Sequence, residues 1–177
     1  NMRVFVAVDF DNKTKDKLFE AQSKLKEISL KGRFAPRDNF HLTLVFIGEV
    51  QKERIEDAIS VMKGIETKPF EITLEGMGSF KNGKRNVFWL RVKNNIELES
   101  LQKRLYDSLA ERGFELQKRK FAPHITLARD VTNKDSREIF FAPFSYRVSS
   151  ISLMRTVMGK GKTYYEELFK REFKFKK

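Results

Sequence analysis

The feature that most constrains this chain is a repeated four-residue pattern: His41-Leu42-Thr43-Leu44 recurs as His124-Ile125-Thr126-Leu127, 83 residues later. Each copy lies in an apolar stretch of strand character, Asn39–Ile47 closed by Gly48, and Lys120–Ala128. A strand sends alternate side chains to opposite faces. His41 and Thr43 therefore share one face while Leu42 and Leu44 point into a core, and His124 and Thr126 are backed in the same way by Ile125 and Leu127. The chain has only two histidines and both fall in this pattern. Chance agreement of both is on the order of 10⁻⁵ from the chain's own Thr and Leu frequencies, which sets the pair apart from a lone short motif. The fold must therefore supply two strand supports, one for each copy, as an ancient duplication would.

The rest of the chain alternates strands and helices. Residues 3–10 read as a strand. Leu18, Ala21, Leu25 and Ile28 have helical spacing within residues 14–30, with Gly32 suited to the end. Ile55, Ile59 and Met62 mark a second helix over 51–65, and Leu98, Leu101, Leu105 and Leu109 a third over 96–112, capped by Gly113. Strands are expected over 70–76 and 86–93, joined by a turn at Lys81–Arg85 around Asn82-Gly83. Two more are expected over 144–154 and 163–175, with a glycine turn at Gly159 and Gly161 between them, before a frayed lysine-rich tail at Lys174, Lys176 and Lys177. The expectation is an α+β fold with antiparallel sheets. Residues 1–177 are read as a single domain of two lobes, one motif strand in each, facing across a cleft.

Imidazole takes and gives protons near neutral pH, because its ordinary pKa is about 6.5. Two of them around one phosphorus supply the base that activates an attacking oxygen and the acid that protonates a leaving one. The hydroxyls of Thr43 and Thr126 can donate to the phosphoryl oxygens. Arg129 keeps the strand parity of Leu127, but from the strand's end it can swing to the phosphate, which its planar fork fits. The charge that Arg129 and the run Gln117-Lys118-Arg119-Lys120 gather near His124 would lower that imidazole's pKa. On that ground His124 is expected as base and His41 as acid.

Composition narrows the chemistry. There is no cysteine, so disulfides, thiolate metal sites and cysteine nucleophiles are excluded. With two histidines a zinc site would need carboxylates in matching places, and no metal or other cofactor is expected. The net charge of +12, from 36 basic and 24 acidic residues, fits both a nucleic-acid partner and the charge-rich surface of heat-adapted proteins. Lys118, Arg119 and Lys120 are candidates to track an RNA backbone, although a solvated loop has the same composition. Phe5, Tyr164 and Tyr165 are candidates to stack on a base, among 17 phenylalanines most of which must be core. No apolar run is long enough to span a membrane as a helix. The start reads as a strand rather than a secretion signal. A monomer in the cytoplasm is expected.

At these residues the sequence resembles the two-histidine phosphoesterase superfamily, and within it the RNA 2′,3′-cyclic phosphodiesterases of bacteria and archaea, also known as 2′-5′ RNA ligase-like proteins. The resemblance rests on Asn39–Gly48 and Phe121–Arg129, with Met2–Val8 similar to that family's first strand. It implies a bilobal, pseudo-symmetric fold of two antiparallel sheets facing across a cleft, with helices on the outer faces. It implies that His41, Thr43, His124 and Thr126 line the cleft and that RNA ends are hydrolysed from 2′,3′-cyclic phosphate to 2′-phosphate, tRNA halves among them. Some relatives also join RNA ends through a 2′–5′ linkage. A binding module without turnover would be marked by loss of a histidine or threonine, and neither motif has lost one. The family's Ser, Gly and Tyr beyond the penultimate strand are matched here only in outline, by Thr156, Gly159, Gly161 and Tyr164-Tyr165.

Overall fold

The computed structural model describes residues 1–82, 85–134 and 139–174. Its elements run β1 (Met2–Asp9), α1 (Asn12–Glu27), β2 (Ser29–Phe34), β3 (His41–Val50), α2 (Ile55–Lys63), β4 (Phe70–Asn82), β5 (Arg85–Val92), α3 (Ile96–Glu111), β6 (His124–Asn133), β7 (Phe144–Val148), β8 (Ser150–Gly159) and β9 (Lys162–Glu172). They build two sheets, one ordered β3-β1-β8-β9 and the other β2-β6-β5-β4-β7, and every pairing is antiparallel. The two motif strands, β3 and β6, lie in different sheets and approach each other across the gap. The fold is the expected α+β arrangement of two facing antiparallel sheets.

The helices follow from their apolar stripes. On α1, Leu18, Ala21 and Leu25 are buried, and Asp11 caps the start by accepting from the Thr14 N–H at 2.8 Å. On α3, Leu98, Leu101, Leu105 and Leu109 are fully buried, and Asn95 caps it through the Leu98 N–H. Helix α1 packs on β2 and β6, while α2 and α3 pack on each other and on the four-stranded sheet. One apolar core joins residues of both sheets and all three helices. A small separate cluster of Phe5, Ala7 and Met154, with Tyr165 against it, lies on the opposite face of β1 and β8.

Several boundaries differ from the sequence expectation. The first helix stops at Glu27 rather than reaching residue 30, because Ser29–Phe34 is taken up as β2 by pairing with β6. Gly32 therefore sits within a strand, where a Cβ would press on Val131. The stretch 144–154 is two strands, not one. β7 pairs with β4 in one sheet, and β8 pairs with β1 and β9 in the other, so the chain changes sheets at Ser149. The second motif strand starts at His124, which leaves Lys118–Lys120 in a loop, and it runs on to Asn133. Gly113 closes α3 with φ of 93°. The β8–β9 turn has Lys160 and Gly161 both at positive φ, as a two-residue hairpin requires. The turn expected around Asn82-Gly83 and the tail residues Lys176 and Lys177 lie outside the described residues.

Candidate active site

Both motif strands carry the same irregularity, and it shapes the site. Along β3 the pairing to β1 steps from Thr43 to Val45, leaving Leu44 as an extra residue. Along β6 the pairing to β5 steps from Thr126 to Ala128, leaving Leu127 extra. A bulge of this kind reverses strand parity beyond it. Leu44 and Val45 are both buried, as are Leu127 and Ala128, and the next side chains, Phe46 and Arg129, return to the cleft face. The expectation that Arg129 shares the face of Leu127 at the strand's end is therefore corrected. Arg129 lies within β6, and the bulge turns it to the side of His124 and Thr126.

The two imidazoles are held alike. His41 Nδ1 is 2.8 Å from the Asn39 carbonyl, and His124 Nδ1 is 2.7 Å from the Ala122 carbonyl. A carbonyl oxygen only accepts, so Nδ1 carries the hydrogen in both rings and Nε2 is the atom left to exchange a proton. In each motif the anchoring carbonyl lies two residues before the histidine, just ahead of the strand. His41 Nε2 is 2.9 Å from Thr43 Oγ1, so the hydroxyl donates to the neutral ring.

The surroundings of the two rings differ. His41 is half-buried, with ring centroids 4.9 Å from both Phe5 and Tyr165. Burial lowers its pKa, while the Asn39 hydrogen bond and the charge of Asp9 work the other way, and His124 is near enough to lower it further. This shifts the ground of the acid–base assignment, since His41 is the imidazole whose neutral form burial favours. His124 has Trp89 at 6.0 Å and Phe80 at 6.5 Å.

The cleft between the sheets is about 1300 Å³ and holds His41, Thr43, His124 and Thr126 on its walls. Among the described residues it is lined by six cations, Arg3, Arg33, Arg119, Arg129, Arg155 and Lys162, and by one carboxylate, Glu49. Low-dielectric walls of one sign concentrate an anion in the space between them. Arg33 is paired with Asp130 at 2.7 Å, and Arg3 lies over the exposed face of Phe46 at 4.9 Å.

The other sequence candidates separate clearly. Phe5 is 3% exposed and packs beneath His41 and Tyr165, so its ring supports the histidine and offers no face to a base. Tyr165 lines the cleft beside Thr156, its partner across the β8–β9 pairing. Burial raises its pKa, against the lowering influence of Arg129 and Arg3, which keeps it a neutral phenol. Tyr164 points to the opposite face and covers Gly159. Of the run 117–120, Gln117 and Arg119 line this cleft, while Lys118 and Lys120 lie outside its lining. Sequence reading missed Arg3, Arg33, Arg155 and Lys162. Only Arg3 carried a signal, by sharing strand parity with Phe5. Among the described residues no group of three or more His, Asp or Glu side chains is placed to hold a metal ion, and no helix is long and apolar enough to cross a membrane.

Two His-x-Thr strands, equally anchored and facing across a cationic cleft, define the class of two-histidine phosphoesterases. The family model of the 2′-5′ RNA ligase superfamily matches residues 15–160. The chain belongs to that superfamily. It is 31% identical to a Thermotoga maritima protein named RNA 2′,3′-cyclic phosphodiesterase, over 97% of this chain and 96% of that one. An Archaeoglobus fulgidus protein of the same name is 34% identical over 78% of this chain and 84% of its own length. Among solved structures, Escherichia coli LigT complexed with 3′-AMP superposes with a TM-score of 0.85 at 27% identity, covering 97% of this chain and 98% of that one.

Proposed function

We propose that this chain hydrolyses 2′,3′-cyclic phosphate ends of RNA to 2′-phosphates, with His41 and His124 as the acid–base pair. The observation that carries the reading is the matched Nδ1 anchoring, which makes Nε2 the proton-exchanging atom of each ring in one cleft, with the Thr43 hydroxyl turning from His41 Nε2 to the phosphate when substrate enters. One neutral Nε2 takes a proton from water as the water oxygen bonds to phosphorus. The bond from phosphorus to the 3′-oxygen breaks, and the other ring, as imidazolium, gives that oxygen its proton. Displacement at phosphorus favours attack in line with departure, so the two rings must flank the phosphate, and histidines from two facing sheets can do so. Thr43, Thr126 and Arg129 are assigned to the non-bridging oxygens, where charge must be held. Tyr165 is assigned to the wall against the terminal nucleoside. The same reading treats the chain as one domain of two lobes. The relatives' names and the 3′-AMP complex of LigT support RNA ends as the substrate class.

The superfamily's description also names 2′-5′ ligation, which is the same displacement with a 5′-hydroxyl in place of water: the 5′-oxygen bonds to phosphorus, the bond to the 3′-oxygen breaks, and a 2′–5′ linkage is left. Incubation with an RNA ending in 2′,3′-cyclic phosphate, with excess chelator and with a 5′-hydroxyl RNA offered in a parallel sample, tests both. A 2′-phosphate end formed at the same rate with and without chelator is the expected result. A 3′-phosphate product, or no turnover, would refute the reading.

A further inference from the structure

Lys118, Arg119 and Lys120 lie in the loop between α3 and β6, outside both sheets. Arg119 stands on the wall of the catalytic cleft, and it also stands on the wall of a second groove of about 530 Å³. That groove is formed by Gln102, Lys103, Tyr106 and Asp107 of α3 and by Lys118–Lys120 themselves. Its only carboxylate, Asp107, is already paired with Lys103 at 2.9 Å. The three cations of the loop are exposed and have no ion pair among the described residues. The loop is also tied to its helix, since the Tyr106 hydroxyl donates to the Gln117 carbonyl at 3.2 Å. Gln102 in turn reaches the Leu44 carbonyl of the first motif strand at 3.4 Å. The groove is therefore a fixed extension of the site, cationic on one side and joined to the cleft at a single arginine.

We infer that this groove carries the RNA chain on the 5′ side of the terminal cyclic phosphate; the inference rests on the function proposed above. A cyclic phosphate occupies both the 2′- and 3′-oxygens of the last nucleotide, so the rest of the RNA continues only from that nucleotide's 5′-oxygen. With the end seated between the histidines, the chain must leave the cleft over one of its walls. Arg119 marks the wall beyond which unneutralised cations continue. Successive phosphates pass over Arg119 to Lys118 and Lys120, and the half-buried ring of Tyr106 forms the floor.

The double variant Lys118→Ala/Lys120→Ala tests this against two substrates, a mononucleotide 2′,3′-cyclic phosphate and a single-stranded RNA of about ten nucleotides with the same end. Turnover of the mononucleotide should be unchanged. Each phosphate contact to a single strand contributes about 0.7 to the log–log salt slope, so losing two should lower the slope of RNA affinity by about 1.4, which is about 25-fold in affinity near 0.1 M salt. Fluorescence anisotropy of labelled RNA reads both quantities without turnover. An unchanged RNA affinity and slope would overturn the inference. So would equal losses for the mononucleotide and the RNA, which would place the lysines in the cleft. If the unmodified protein cleaves neither substrate, the proposed function fails, and the anisotropy comparison still decides the groove.

Discussion

Gln22 tests whether the bulge that aims Arg129 is held by the core. It lies on α1, 4% exposed, and its Nε2 donates to the carbonyls of Ala35 at 2.7 Å and Leu127 at 2.9 Å. Leu127 is the extra residue of the β6 bulge. Its carbonyl also accepts from the Ala35 N–H at 2.9 Å, so Gln22→Ala leaves that oxygen one partner while Ala35 loses its side-chain donor. Two hydrogen bonds at a net of about 1 kcal/mol each, with about 0.8 kcal/mol for one buried methylene, give a loss of about 3 kcal/mol. In a chain of this length that corresponds to a fall in Tm of about 6–12 °C. Gln22→Glu keeps the shape but replaces the donor by an oxygen. Only the protonated acid can bond a carbonyl, so its folded pKa must lie above the unfolded value of about 4.3. Its stabilising bond is present below that value and is lost as pH rises through the folded pKa. Urea denaturation of both variants across pH, with kcat/KM measured under native conditions, checks each step. The Gln22→Glu gap from wild type should widen from acid to neutral pH, and kcat/KM should fall in Gln22→Ala as Arg129 loses its aim. A loss below about 0.5 kcal/mol in Gln22→Ala, within the range of ordinary surface substitutions, would refute the reasoning, as would a gap that ignores pH.

Other outcomes follow from the site. The His41 ring should titrate below the ordinary histidine value in the free protein, by NMR of its ring protons. Because its folded pKa is depressed, the unfolded chain binds that proton first, so stability from this group is present above about 6.5 and falls as pH drops below it; His41→Asn should lose that part of the pH dependence, and a titration at or above 6.5 would contradict the burial argument. A Cβ at Gly78 would collide with the six-membered ring of Trp89, so Gly78→Ala should cost about 1–3 kcal/mol and shift the emission of Trp89; normal stability would show that Trp89 is free to move. Arg129→Ala should lower kcat/KM about 10- to 100-fold, the scale of a hydrogen bond to a charged group, with Arg129→Lys recovering only part because its point charge lacks the planar fork.

The motif residues were legible because their signal is local: a strand's two-residue period and the chemistry of imidazole need no knowledge of partners. What could not be read depended on partners. The helix propensity of Ser29 and Leu30 continues that of α1, and only pairing with β6 converts the segment to β2. Residues 144–154 keep a strand-like composition through Ser149, so nothing marks the point where the chain passes from one sheet to the other. Parity arguments failed at Arg129 because the bulge at Leu127 is fixed by contacts from Gln22 and Ala35, far away in sequence. The cleft's cations Arg3, Arg33, Arg155 and Lys162 come from four strands and meet only in the folded chain. Phe5 shows the converse, since its aromatic character was visible while its burial under His41 was not.

The central claim is that His41 and His124 act as one acid–base unit on a cyclic phosphate end. The most direct measurement is kcat for RNA 2′,3′-cyclic phosphate in His41→Ala, His124→Ala and the double variant, with folding checked by circular dichroism. Each single change should cost at least about two orders of magnitude, and the double variant should be little worse than either, because residues that work as a unit do not add. A single variant that folds and keeps near wild-type kcat, or losses that multiply in the double variant, would contradict it.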